Sequence, residues 1–396
     1  MLRPLVLVLL WTAACSGSSS DDGGATSADG GHSSDAAVTS TNDFGTYSAG
    51  NPDGKCAAGI PTKGVAADTS HPTSVVGTGT AASCTFIALA AAVKAGGIIT
   101  FDCGTAPLTI AVTATLTLPS TKDSVIDGGG VITLDGQGTT QILKFDSANF
   151  KANDHGFTVQ HITFTNGKIA GSDPIPSPPP QPACSQGFDS GEGGAIYVRD
   201  GYLAVIDSVF TNNEAGLVGP DIGGGAIRML GSKGGLLVVG STFAHNRAAN
   251  GGAIGCLFSE LDIYDSVFDS NVATGHDANN AGTATQCSQM NNGQNELGSG
   301  GNGGAMYSDG AAGASVVLCG DKIVTNNAGT NAFGGGLFFT SNDYSGTLTI
   351  TDTTMTGNTG GHWTQVQTGS TDNAGTAVGT NAKSLTITSS TLQGVP

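Results

Sequence analysis

The sequence predicts an all-β fold, a single-stranded right-handed parallel β-helix. Three observations point to it. A glycine pair with Ala and an aliphatic residue recurs as GGAIYV at Gly193, GGAIRM at Gly224, GGAIGC at Gly251, GGAMYS at Gly303, GGGLFF at Gly334 and, in degenerate form, GTAVGT at Gly375. Each copy is followed by a second segment in which apolar residues alternate, such as LAVIDSVFTNN from Leu203, LLVVGSTFAHN from Leu236 and LDIYDSVFDSN from Leu261. Alternation is the period of a strand, not of a helix. The shortest interval between equivalent positions is 25 residues, from Phe243 to Phe268. A unit that short holds three short strands and their turns, and it buries its apolar face only by stacking on its neighbours.

Along the chain, the N-terminus MLRPLVLVLLWTAAC has one arginine, an apolar run too short to span a bilayer, and small residues ahead of Cys15. This reads as an export signal. The Thr12-Ala13-Ala14-Cys15 ending resembles a lipobox and makes Cys15 the expected lipidation site, although Thr12 stands where that motif usually has leucine. Ordinary cleavage with an unlipidated Cys15 is the alternative. Residues 16–55, polar and of low complexity, are expected to form a flexible tether, and residues 56–396 the β-helix domain.

Stacking the repeats predicts three inward columns. Leu203, Leu236, Leu261, Val316, Leu348 and Leu385 form one; Val205, Val238, Ile263, Leu318, Ile350 and Ile387 a second. The third is Phe164, Phe210, Phe243, Phe268, Ile323, Met355 and Leu392. The glycine pairs are expected to be tight turns rather than phosphate cradles, because strand sequence follows them instead of a helix. Asn213, Asn246, Asn271, Asn326 and Asn358 are expected to stack as a hydrogen-bonded ladder, set in left-handed turns. Asp207, Asp265 and Asp352, in one column with His161, Gly240 and Gly320, read as turn caps. A calcium site built from them is the weaker reading, since Asp207 and Asp265 lie two coils apart.

GGA[ILM] paired with FxxN resembles the repeat of chlamydial polymorphic outer-membrane proteins and related bacterial β-helix surface proteins, within the pectate-lyase-like superfamily. CTFIALAAAVKAGGIITFDCG from Cys84 is similar to the capping helix and first strand of such proteins, which implies a short N-terminal cap over about residues 80–103. Physically, an uncapped first coil would expose core and unpaired edges. GGA/FxxN coils are then expected over about 150–396. The resemblance implies a fold more than an activity, because the superfamily contains lyases, epimerases, adhesins and phage spikes.

Composition narrows the function. A net charge of −17 in 396 residues argues against nucleic acid as a partner. It also disfavours uncompensated polyanionic sugars and fits neutral glycans or cations, with a solvated acidic surface as the simplest account. Of the seven cysteines after Cys15, at least one must be unpaired. Cys256 is the expected free thiol because its inward position suits a small core hydrophobe; Cys184 and Cys287 sit in two insertions that they can staple. No Cys/His cluster suggests a metal, and no cofactor is expected, with calcium left open.

The column after the GGA aliphatic residue is expected to face outward: Tyr197, Arg228, Gly255, Tyr307 and Phe338. Such a ladder can bind sugars, rings stacking on pyranose faces and the arginine on carboxylates, with Gly255 as an open gap. Against this stands the ordinary preference of aromatic residues for strand surfaces. The long insertions, 168–192, 214–223, 272–302, 327–333 and 359–374, all fall between the FxxN asparagine and the next glycine pair. They should therefore leave the solenoid at one edge, where function tends to sit. Catalytic candidates there are Arg228, Glu192 and Asp221; substrate-binding candidates are Tyr197, Arg228, Tyr307 and Phe338. The favoured expectation is an exported, lipid-anchored β-helix that binds a glycan, a surface or another envelope protein. The alternative is a polysaccharide lyase, epimerase or glycoside hydrolase working at the same edge.

Overall fold

The computed structural model describes residues 47–169, 192–217, 219, 221–276, 300–310, 312–330, 332–341, 343–360, 371–373 and 377–393. It is a parallel β-helix. Each full coil contributes three strands, for example Ile196–Arg199, Tyr202–Ile206 and Val209–Thr211, and each strand pairs in parallel with its equivalent one coil on. One sheet of 17 strands and one of nine run the length of the solenoid. The one antiparallel pairing among the described strands joins Thr371–Asn373 to Val378–Ala382.

The three inward columns are in the register that the repeat predicts. At the last coil, however, Ile387 is 37% exposed and Leu385 and Leu392 are only partly buried, because no further described coil stacks on them. Phe164, Phe210, Phe243 and Phe268 are fully buried and stack with centroids 4.9, 4.7 and 4.8 Å apart and planes within 9° of parallel. At roughly 2–3 kcal/mol of transfer free energy per buried ring, this column is among the largest apolar contributions in the fold. Ile323 and Met355 continue it in the core.

A buried amide ladder runs beside the rings. Asn213 Nδ2 donates to Asn246 Oδ1 at 2.9 Å, Asn246 to Asn271 at 3.0 Å, Asn271 to Asn326 at 2.8 Å and Asn326 to Asn358 at 2.9 Å. The left-handed turns lie one residue earlier than the expected asparagines. The left-handed residues are those just before the ladder, Asn212, His245, Ser270, Thr325 and Gly357, with φ of 55–67°. The ladder asparagines have no such backbone angle and act through their side chains alone.

A second ladder went unrecognised in the sequence. Ser208, Ser241, Ser266, Asp321, Thr353 and Ser390 follow the turn column, and each backbone N–H donates to the next side-chain oxygen at 2.8–3.2 Å. Asp321 is fully enclosed there, and burial holds its carboxyl well above the usual carboxylate range. The turn column itself is left-handed: His161, Asp207, Asp265 and Asp352 have φ of 45–50°.

The helix Phe86–Ala95 closes the N-terminal end, laying Leu89, Ala92 and Val93 on the first coil. The Thr85 hydroxyl caps it by accepting from Ala88 N at 3.2 Å. Cys84–Cys103 ties the helix start to the end of the following strand, and Cys56–Cys319 is a second disulfide spanning 263 residues. Among the described cysteines Cys256 is the free, buried thiol, pushed up to about 12 by burial. Cys15, Cys184 and Cys287 lie outside the described residues.

The tether was expected to run to residue 55, but residues 47–55 already lie on the solenoid. Tyr47 Oη meets His245 Nε2 at 2.7 Å, Asn51 N donates to Asp265 O at 2.8 Å, and Asn51 Nδ2 donates to Gly320 O at 2.8 Å. Beyond them, Cys56 N and Ala57 N donate to Asp265 Oδ1 and Asp352 Oδ2. The chain then turns back, and Ala67 exchanges two hydrogen bonds with the Gln160 side chain. Residues 47–73 thus form a strap along the turn column, where Asp265 and Asp352 accept from its backbone.

Candidate functional site

The insertions leave the solenoid along one stacked line. Lys168, Glu214, Arg247, Val272, Asn327 and Thr359 bridge in sequence from coil to coil. Charge follows the same line: Lys168 Nζ lies 2.7 Å and Arg247 Nε 3.5 Å from the Glu214 carboxylate. The chain re-enters at the glycine pairs. Gly224 shows why glycine is needed there: φ is +74°, and a Cβ would strike the Ile227 carbonyl.

Beside this edge the predicted outer column is in register, Lys144, Tyr197, Arg228, Gly255, Tyr307, Phe338 and Gly379 pairing in turn. Its exposure differs from expectation. Arg228 and Tyr307 are 0% exposed, Tyr197 4% and Phe338 7%. No open ring platform exists at these four residues, because the ends of the insertions fold back over them. The backbone of Gly223 and Gly224 lies on Gly255, where a Cβ would come within 2.8 Å of Gly223 C and 2.7 Å of Gly224 N. Gly255 is therefore a packing requirement and not an open gap. Farther along, the Phe333 ring stacks on Phe338 at 5.9 Å, and Phe338 on Tyr307 at 5.6 Å.

Arg228 is the centre of the covered corner. Its Nε lies 2.7 Å from Glu192 Oε2, and both side chains are completely excluded from solvent. Glu192 ends the first insertion and Asp221 lies near the end of the second, so the structure brings the three catalytic candidates to one place. Asp309, at the end of the strand carrying Tyr307, joins them and was not anticipated. Tyr307 Oη donates to Asp309 Oδ2 at 3.3 Å. No repeat position marks Asp309, since its register partners are Leu257 and Thr340; only a carboxylate closing a GGA strand could have drawn notice.

Burial pushes both aspartates up to about 6, against the opposing charge of Arg228; for Asp309 the Asp221 charge adds to the rise. The Tyr197 phenol is also pushed up, by burial and then by the Glu192 charge. One guanidinium thus faces three carboxyl groups in a water-poor corner. Paired with Glu192 and 0% exposed, Arg228 does not present its guanidinium to solvent. The arrangement is suited to clasping insertion ends together and poorly suited to proton abstraction.

The raised pair has a consequence for stability. In the unfolded chain Asp221 and Asp309 release their protons near 4, whereas in the folded chain they hold them to about 6. Between these values the folded state binds more protons, so their contribution to stability falls as pH rises through that window. Thermal unfolding followed from pH 7 down to pH 5 should therefore show an increase in midpoint. Asp221→Asn with Asp309→Asn should remove much of the increase; an unchanged profile in the double variant would assign it elsewhere. Among known protein families, curated proteins and solved structures, none matches the chain.

Proposed function

We propose that this is an exported β-helix, held to the cell envelope through Cys15, that presents its insertion-bearing edge for binding a glycan or another surface protein. The observation that carries the reading is the sealed Arg228–Glu192 pair beside the stacked insertion line. Among the described residues of the edge, Arg228 and Glu192 are used to fasten insertion ends, which favours presentation over turnover. The polar, low-complexity segment between Cys15 and the strap is consistent with a tether, and the net charge of −17 with neutral or cationic ligands. The likeness of the GGA/FxxN repeat to bacterial surface β-helices points the same way.

Two measurements test this. Labelled palmitate should enter the full chain and not its Cys15→Ser variant. Incubated with polygalacturonate, alginate and neutral glycans, with and without calcium, the protein should release neither unsaturated uronates nor new reducing ends. It should instead retain ligand or cells in a manner lost when residues 277–299 are replaced by a short glycine-serine link. Steady product release would establish the lyase or hydrolase alternative.

A further inference from the structure

A second site lies away from the insertion edge, where the strap crosses the outer face of the sheet. Between strap residues 62–67 and the strands Tyr202–Ile206 and Gly235–Val239 is a cavity of 580 Å³. That volume is within the range of small-molecule sites, about 300–1,000 Å³. Val65, Tyr202 and Leu237 supply its apolar walls, and Lys63 and Lys233 stand at it as cations.

Three features distinguish it from an ordinary surface crease. Val65 is 67% exposed on the strap, so its apolar side chain is available to a molecule in the cavity. Lysine and arginine number 14 in the whole chain, yet two lysines meet here. The two are also not equivalent. Lys233 Nζ is held by Asp154 at 2.5 Å. Lys63 makes no ion pair among the described residues; Asp262, in register with Leu237 on the next coil, feels its charge from a distance.

We propose that this cavity binds a small carboxylic acid with a flat apolar body, the body lying against Val65, Tyr202 and Leu237 and the carboxylate facing Lys63. The Lys233–Asp154 pair offers a donor and an acceptor at one end without adding net charge, so a preference for an anion rests on Lys63 prevailing over the opposing charges of Asp262 and of Asp123 beside Tyr202. Because strap and sheet each supply one wall, occupancy should also stiffen the strap. The site does not depend on the insertion edge, and it can stand or fall apart from the role proposed for that edge.

The test uses the full chain with 3-phenylpropanoate, its neutral amide and galacturonate, read by calorimetry and by saturation-transfer NMR. The acid is expected to bind saturably, with a dissociation constant of about 1 mM or tighter. The amide should bind more weakly, and affinity for the acid should fall as salt is raised. Lys63→Gln should weaken the acid by about fivefold. Leu237→Trp, which fills the cavity from a partly exposed position, should abolish binding with the thermal midpoint unchanged. Equal binding of acid and amide, an unaffected Lys63→Gln or Leu237→Trp, or no saturable binding of the acid would overturn the proposal. Binding of galacturonate alone would overturn it in favour of a sugar site.

Discussion

Arg228→Met is expected to destabilise the protein by about 3–5 kcal/mol, because it strands the Glu192 carboxylate in a fully buried corner without its cation. Methionine replaces much of the arginine's volume, so lost packing is a minor part of the effect. The double variant Arg228→Met/Glu192→Leu should recover most of the loss, since an apolar pair needs no compensating charge. Denaturant midpoints under non-reducing conditions measure the difference. Solenoids need not unfold in one step, so hydrogen exchange of the coils around Gly193–Leu257 should be followed as well. A single variant within about 1 kcal/mol of the parent would mean that Glu192 has taken a proton or that water reaches the corner.

Asn271→Ala should have an effect of similar size, about 3–5 kcal/mol, arising from hydrogen bonding rather than charge. Asn271 Oδ1 accepts from Asn246 N and Asn246 Nδ2, both at 3.0 Å, while its Nδ2 donates to Phe243 O and Asn326 Oδ1. Truncation breaks all four bonds inside a dry core, at about 1–3 kcal/mol for each buried group left unsatisfied. Asn271→Asp separates donor from acceptor. It keeps the acceptor for Asn246 but buries a charge, so it should be destabilised at pH 7 and partly recover in acid as the carboxyl protonates. Equal stability of Asn271→Asp at pH 7 and pH 4.5 would refute the ladder as a closed, water-free network.

The fold was legible because a solenoid repeats its physics. The same apolar residue returns to the same column on each coil, so Phe210, Phe243 and Phe268 mark a period and an inward face at once. The asparagine ladder was readable for the same reason. Its backbone assignment was displaced by one residue, because the preceding position tolerates Asn212, His245, Ser270 and Thr325 alike and so has no signature. Burial of the Tyr197–Phe338 column was not legible. It depends on how Glu192, Asp221–Gly224 and Phe333 fold back, and insertions have no period. The strap was hidden too. Main-chain groups hold much of it, and a backbone N–H such as that of Asn51 donates whatever side chain it bears.

The Cys56–Cys319 bond also fixes how the molecule would carry a load. Tension applied ahead of Tyr47 would first strip the few hydrogen bonds of residues 47–51 and then reach a covalent link. From there it passes directly into the coil of Cys319. The 263-residue loop between the two sulfurs, which includes the capping helix, the first coils and the Arg228 corner, is bypassed by the pull. A protein held by its N-terminus could thus be tugged without unzipping from the end at which it is held.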